Sequence, residues 1–161
     1  MVEVKVDSIQ VSLMSEHRVI LLKEIDAKRL LPIFIGPYEA EAIAIRLRNI
    51  ELPRPLTHDL LNNVIAEMGG KLSHITVNAL RNDTFYAYIT VKLNGQELEI
   101  DSRPSDAIAL AVRANVPIFV EDTVMAEGIV PEEDISDADD ADLSAFRDFV
   151  NTLDLDDMPL Q

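Results

Sequence analysis

The chain contains no cysteine. Disulfide bonds, thiolate metal sites and cysteine nucleophiles are therefore excluded, and a reducing cytoplasm is the expected location. Uninterrupted apolar runs are also short, and none approaches the roughly 18 residues that a membrane-spanning helix requires. Residues 1–7 alternate apolar and charged side chains, which predicts a strand, not a signal peptide. We therefore expect a cytoplasmic protein without a membrane partner.

Basic residues are scarce only in the C-terminal part of the chain. Residues 1–120 carry 13 Lys and Arg against 15 Asp and Glu, whereas residues 121–161 carry 1 against 14, so nearly all of the net charge of −15 belongs to the tail. Nucleic-acid affinity comes mainly from contacts between local cations and phosphates. The almost neutral body therefore permits nucleic-acid binding, although no basic stripe interleaved with aromatic residues is visible.

Hydrophobic periodicity predicts an α+β fold. Strands are expected at about 2–13, 18–23, 31–35, 71–80, 84–93, 96–101 and 116–120, and helices at about 38–49, 58–68 and 104–114. Gly69 and Gly70 are expected to end the second helix, and Asn94-Gly95 is a strong hairpin signal. Because 31–35 is wholly apolar, we expect it to be a central strand. Strands in hairpins mixed with helices indicate a mixed, largely antiparallel sheet packed with three helices.

The chain length fits one domain at about 1–130, followed by a distinct tail at 131–161. The tail begins with an acidic linker that repels itself. Apolar residues then recur at helical spacing and predict a short amphipathic C-terminal helix, through Leu143, Phe146, Phe149, Val150 and Leu153. The acidic tail could compete with a polyanion for the cations of the body, or it could be a solubilising segment whose helix docks on the domain or on a neighbour.

Two Arg-Pro corners carry most of the candidate chemistry. Residues 103–106, Arg-Pro-Ser-Asp, follow an alternating strand and open a helix, with Pro104 suited to the first helical position. Residues 54–59, Arg-Pro-Leu-Thr-His-Asp, open another helix in the same way. A third helix begins at residues 36–39, Gly-Pro-Tyr-Glu. All three helices therefore begin near a proline and have an acid in the first turn.

Four segments resemble the bifunctional nuclease domain family in order and spacing. They are Leu31-Pro32-Ile33-Phe34-Ile35-Gly36 with Glu39-Ala40, Arg54-Pro55-Leu56-Thr57-His58-Asp59-Leu60, Thr84-Phe85-Tyr86-Ala87, and Arg103-Pro104-Ser105-Asp106-Ala107-Ile108-Ala109-Leu110-Ala111. The resemblance covers roughly residues 1–130. It implies nuclease activity on both DNA and RNA, and it agrees with the α+β fold expected from the sequence pattern.

The acids at the helix starts allow two interpretations. Glu39, Asp59 and Asp106 could simply accept backbone N–H groups at the positive end of each helix. If the three helix starts converge with Asp101, the same carboxylates could bind Mg²⁺ or Mn²⁺ and activate water for phosphodiester cleavage. Asp59, Asp101 and Asp106 are the candidate metal ligands, and no organic cofactor is expected.

The remaining candidates also allow two interpretations each. His58 could transfer protons or act only as a structural donor, and Glu39 is a second candidate for proton transfer. Arg54 and Arg103 could hold phosphate oxygens with their guanidinium groups or form ion pairs with nearby acids. Tyr86 and Tyr88 share one face of a strand, where they could stack on bases or pack within the sheet.

The sequence therefore predicts a nuclease that hydrolyses DNA and RNA with little sequence preference, with divalent-metal assistance. Its catalytic candidates are Glu39, His58, Asp59, Asp101 and Asp106, and its substrate-binding candidates are Arg54 and Arg103. The alternative is a non-catalytic protein-binding or ligand-binding module of the same fold. Self-association through a sheet edge or a helix face is a further expectation.

Overall fold

The structure is a computed structural model and describes residues 1–11 and 16–131. Seven strands and four helices occur in these residues. The strands are β1 (Val2–Val11), β2 (Arg18–Glu24), β3 (Leu30–Ile35), β4 (Lys71–Arg81), β5 (Thr84–Leu93), β6 (Gln96–Ser102) and β7 (Ile118–Val120). The helices are α1 (Pro37–Leu47), α2 (Thr57–Glu67), α3 (Pro104–Ala114) and α4 (Asp122–Met125). None of the described helices is long and apolar enough to cross a membrane.

One mixed sheet contains all seven strands, in the order β3-β2-β1-β7-β4-β5-β6. Only β4 and β7 pair in parallel, and every other neighbouring pair is antiparallel. The predicted α+β class with a mixed, largely antiparallel sheet is therefore confirmed.

The main core lies between one face of this sheet and the helices. Strand residues on that face, such as Ile20, Ile75 and Ile89, join a cluster with Ile108 and Leu110 of α3. α3 is the most deeply buried helix, and Ile108 and Leu110 are fully inaccessible. Burial of side chains of this size stabilises a fold by about 1.5–3 kcal/mol each. α1 and α2 both pack on α3, so α3 brings the other two helices together.

The apolar strand β3 lies at an edge of the sheet, and the prediction that it is central was wrong. Both faces of β3 are apolar because each face packs into a different hydrophobic cluster. Ile33 and Ile35 face the main core, whereas Phe34 forms a second cluster with Val19 and Leu21 on the opposite face. Pro32 lacks a backbone N–H group and is compatible with an edge strand.

The other differences from the sequence prediction are small. β7 begins at Ile118, and the short helix α4 was not predicted. Residues 12 and 13, which were predicted to continue β1, lie outside the described residues. Gly69 ends α2 with a positive φ of 82°, as expected of a left-handed cap. The predicted C-terminal helix and nearly all of the acidic linker lie outside the described residues.

Candidate active site at the helix N-termini

α1, α2 and α3 begin with the same local arrangement. An extended residue precedes each helix, and the third helical residue is acidic: Glu39 in α1, Asp59 in α2 and Asp106 in α3. Pro37 and Pro104 occupy the first position of their helices, where a missing N–H group costs no helical hydrogen bond. The three carboxylates are therefore held near the positive ends of the helix dipoles.

Four of the predicted residues come together at the starts of these helices. The Arg103 guanidinium bridges two carboxylates: its Nε donates to Asp106 Oδ2 at 2.8 Å, and its Nη2 donates to Glu39 Oε1 at 2.8 Å. His58 Nε2 lies 2.9 Å from Asp106 Oδ1. We call Glu39, His58, Arg103 and Asp106 the acidic cluster. It joins three helix starts that are separated by up to 64 residues of sequence.

Asp106 is the central group of the acidic cluster. The hydrogen bond from His58 lowers the pKa of the Asp106 carboxyl below its ordinary value, partial burial opposes this, and the hydrogen bond from Arg103 lowers the pKa further. Arg103 responds reciprocally, since its hydrogen bond to Asp106 raises the pKa of the guanidinium. Asp106 is therefore a carboxylate at neutral pH, and both of its oxygens act as acceptors.

This protonation state determines how a neutral His58 is oriented. Because the Asp106 carboxylate can only accept, His58 Nε2 must carry the hydrogen of the bond between them. The Nδ1 atom of the neutral ring then has the lone pair that can accept a proton. The pair thus fixes both the tautomer and the orientation of the imidazole ring.

The acidic cluster is open to solvent on the side of its arginine. The Arg103 side chain is 50% exposed, whereas the side chains of Glu39 and His58 are 18% and 11% exposed. A guanidinium that is half exposed can contact an incoming anion without unfolding of the protein. Phosphate is well suited to this position because two of its oxygens match the planar fork of arginine.

Asp59 has a different partner. Its Oδ2 accepts the N–H of Leu56 at 2.9 Å, and its Oδ1 accepts Arg113 Nε at 2.7 Å. The other two nitrogens of the buried Arg113 donate to the carbonyl oxygens of Ala109 and Ala42. Asp59 therefore caps α2 and also forms an ion pair with Arg113. Through its three nitrogens, Arg113 bonds to one residue in each of α1, α2 and α3.

Arg113 was not among the residues singled out from the sequence. A signal was present, because Arg113 is a charged residue next to Val112 and Ala114 at the end of a strongly apolar helix. A charged side chain in such a helix must find a buried partner or reach solvent. The sequence alone gives no indication that the partner is Asp59, which lies 54 residues earlier.

The other candidates lie outside the acidic cluster. Asp101 is exposed on β6 opposite Tyr88 of β5, and Arg54 is exposed and lines a different cavity. Within residues 1–11 and 16–131, no three His, Asp or Glu side chains are grouped so that they could hold a metal ion. The three predicted metal ligands therefore do not form a single centre in this structure.

Ser105 has an unusual environment beside Asp106. Its side chain is fully buried, and Oγ has no hydrogen-bond partner. No side-chain cap bond forms at the start of α3. Most buried polar atoms in proteins are hydrogen-bonded, so this hydroxyl is a local source of instability.

The aromatic strand face is only partly open. Tyr86 is 37% exposed, and the Arg81 guanidinium lies 5.5 Å from its ring centroid. Ala87 and Ile89 alternate with the tyrosines and face the core. Packing and a cation–π contact account for Tyr86, and base stacking stays a prediction.

Comparison with known proteins shows the family of the chain. The profile of the bifunctional nuclease domain matches residues 20–133. An uncharacterized protein of Mycobacterium tuberculosis strain H37Rv is 38% identical over 161 residues, covering 96% of each chain. The chain therefore belongs to the bifunctional nuclease domain family.

Plant relatives match a smaller part of the chain. Bifunctional nuclease 1 of Oryza sativa subsp. japonica is 31% identical over 107 residues, and Bifunctional nuclease 2 of Arabidopsis thaliana is 29% identical over 108 residues. Each match covers 65% of this chain. The chain aligns with 32% of the rice protein and 33% of the Arabidopsis protein.

Proposed function

We propose that this protein is a cytoplasmic nuclease that hydrolyses phosphodiester bonds of DNA and RNA with little sequence preference, at the acidic cluster. The observation that carries the proposal is the placement of a half-exposed Arg103 beside the His58–Asp106 pair. Family membership supports it, because the plant relatives are called bifunctional nucleases. No base-reading element is apparent, so the sugar and the base are expected to matter little.

The proposed roles follow from the contacts. Arg103 binds two oxygens of the scissile phosphate and exchanges part of its contact with Glu39 and Asp106 for contact with the substrate. His58 Nδ1 accepts a proton from the attacking water. The water oxygen forms the new bond to phosphorus, the bond to the leaving oxygen breaks, and that oxygen takes up a proton from solvent. Asp106 positions both His58 and Arg103.

Divalent-metal assistance is part of the same proposal, with a changed set of ligands. Glu39 and Asp106 both contact the Arg103 guanidinium, and in this proposal they bind the cation when Arg103 moves to the phosphate. Mg²⁺ is often bound by one or two carboxylates together with substrate phosphates. A bound ion would polarise the phosphoryl oxygens and lower the pKa of a water molecule. Asp59 and Asp101 are not needed for this arrangement.

Two substitutions test the site. Asp106→Asn and Arg103→Ala should each reduce cleavage of single-stranded DNA and RNA by about a hundredfold or more, because each removes a proton-transfer or phosphate contact. Cleavage is measured with Mg²⁺, with Mn²⁺ and with a chelator. Asp101→Asn is the matched control, since it removes the same charge from an exposed position outside the acidic cluster.

The outcomes separate the possible sites. Full activity of both cluster variants contradicts the assigned site, and loss of activity in Asp101→Asn alone moves the site to β6. Thermal melts of each variant show whether folding is retained. An inactive wild-type protein under all three conditions favours the non-catalytic module.

One observation favours that second function. α2 and the residue that follows it expose four large apolar side chains: Leu60, Leu61, Val64 and Met68. Exposed apolar surface of this kind is typical of interaction sites. A domain that binds a protein or a second copy of itself through α2 is therefore the alternative, and analytical ultracentrifugation of the wild type and of a Met68→Lys variant measures self-association directly.

A further inference from the structure

A cavity lies at the start of α2 and is lined by none of the residues of the acidic cluster. It has a volume of about 350 Å³ and is formed by the end of α1, the α1–α2 loop, the start of α2 and Arg113 of α3. Small-molecule pockets begin at about 300 Å³, so this cavity has room for a small ligand.

One wall of this cavity is formed by Asp59 and Arg113, whose opposite charges cancel and whose side chains are held by hydrogen bonds. Asp59 and Arg113 form an ion pair at 2.7 Å, and the remaining donors of Arg113 are engaged by backbone carbonyls. The entry to the loop is held by a backbone bond from Ile50 to Ile45 at 3.0 Å. Pro53 and Pro55 restrict the backbone of the rest of the loop. The cavity is therefore built on rigid elements.

Two arginines at the mouth of the cavity have free guanidinium groups. The side chains of Arg46 and Arg54 are exposed, and neither forms a hydrogen bond or an ion pair with any residue that the structure describes. Glu51 is the one acid of the lining that lies outside the Asp59–Arg113 pair. The mouth therefore carries an excess of positive charge, although the protein as a whole has a net charge of −15.

The walls between these cations are apolar. Ile50 is 48% exposed and Leu52 is 44% exposed, and the two prolines extend the same surface. Covering such surface with a ligand releases water and is favourable. An anionic group beside a flat apolar group would therefore satisfy both features of the cavity.

We propose that this cavity binds a nucleoside monophosphate group, with the phosphate between Arg46 and Arg54 and the base against Ile50, Leu52 and the prolines. A phosphate monoester is the anion that best matches two guanidinium groups, because it offers three oxygens and up to two negative charges. The group can belong to a free nucleotide or to the 5′ end of an oligonucleotide. The inference concerns binding and does not depend on hydrolysis at the acidic cluster.

The experiment is a titration of the full-length ¹⁵N-labelled protein with AMP, inorganic phosphate and adenosine, followed by NMR. We expect AMP to shift the backbone amides of residues 49–52 and to bind more tightly than phosphate or adenosine. Arg46→Gln and Arg54→Gln should each weaken AMP binding by about tenfold, since each removes a charge-assisted contact. Leu52→Ser should weaken AMP binding but leave phosphate binding unchanged.

Arg48→Gln is the matched control. Arg48 is exposed, lies two residues after Arg46, and lines a different cavity beside α1 and β1. It changes the net charge by the same amount, so AMP affinity should change by less than about twofold. An equal loss in Arg48→Gln, or the absence of shifts in residues 49–52, overturns the proposal.

Two further titrations test whether the bound phosphate belongs to the 5′ end of an oligonucleotide or to a free nucleotide. A 5′-phosphorylated tetranucleotide that binds more tightly than its unphosphorylated counterpart supports recognition of a strand end, whereas preference for AMP over both supports a free nucleotide. Equal binding of the two tetranucleotides together with no AMP binding contradicts a monophosphate site. Tighter AMP binding after removal of residues 132–161 supports the site and identifies the acidic tail as a competitor for it.

Discussion

Replacement of Arg113 by methionine tests the structural role assigned to this residue. The side chain of Arg113 is only 4% exposed, and its three nitrogens bond Asp59, Ala109 and Ala42 at 2.7, 2.8 and 3.0 Å. Methionine keeps an unbranched apolar stem but has no donors. The variant therefore removes all three bonds while filling part of the same space.

The expected loss of stability follows from these three partners. The carbonyl oxygens of Ala42 and Ala109 lie within α1 and α3, so each keeps its helical position and loses one bond to a charged donor, which is worth about 1.5–3 kcal/mol. Asp59 is 38% exposed, so water replaces much of its bond and its pair contributes no more than about 1 kcal/mol. Burial of the methionine offsets part of the loss. The net reduction in the free energy of unfolding should be about 2–5 kcal/mol, or a Tm lowered by roughly 5–15 °C.

Urea and thermal unfolding measure this difference. Arg54→Met is the matched control, because Arg54 is exposed and has no partner among the described residues, and it should change stability by less than about 0.5 kcal/mol. An Arg113→Met protein that unfolds within about 1 kcal/mol of the wild type would refute the reasoning. A double variant with Asp59→Asn isolates the energy of the pair, since neighbouring residues are not additive.

Three further predictions concern the acidic cluster and the tail. Folding lowers the pKa of the Asp106 carboxyl, so the ionised side chain stabilises the folded protein above the unfolded-state pKa of about 3.9. This stabilisation is lost as the pH falls through the lower pKa of the folded state. The difference between wild type and Asp106→Asn in the free energy of unfolding, measured in urea, should therefore shrink below about pH 4. Gly36 has an ordinary φ of −68°, but a methyl group there would overlap the Glu39 carboxylate. Gly36→Ala should therefore reduce cleavage by moving Glu39 away from Arg103, with an almost unchanged Tm, and an unchanged rate would contradict a role for Glu39. Removal of residues 131–161 should tighten oligonucleotide binding most at low salt in fluorescence anisotropy, and unchanged affinity would dismiss the tail as a competitor.

Local sequence patterns predicted most of the helices and strands, because the formation of a helix or strand depends largely on residues that are close in sequence. Alternation in β5 reflects a strand with one face in the main core, and α3 is apolar because it is buried against that core. β6 has the same alternation in sequence, although none of its residues is buried. The position of β3 could not be predicted in this way. Its apolar residues serve two clusters on opposite faces of the sheet, and apolar faces do not reveal how many strands lie beside a strand.

For the candidate site, the sequence predicted the helix starts but not the pairs that their charged side chains form. Prolines and first-turn acids identified the helix starts, because capping is a local property. The pairing of the charges was not local. Arg103 reaches Glu39 across 64 residues and Arg113 reaches Asp59 across 54, and both depend on how α1 and α2 pack on α3.

Three acids occupy equivalent helix positions, and they differ in whether the arginine that each one contacts is exposed or buried. Glu39, Asp59 and Asp106 all occupy the third position of a helix. Asp59 is bound by a buried arginine whose three nitrogens are all bonded, so displacing that arginine would also break its bonds to Ala42 and Ala109. Glu39 and Asp106 share an arginine that is 50% exposed, and exchanging an exposed pair costs about 1 kcal/mol or less. In the proposed function, a phosphate would therefore compete for Arg103 and not for Arg113, so the third helical position is structural in α2 and is the proposed site of chemistry in α1 and α3.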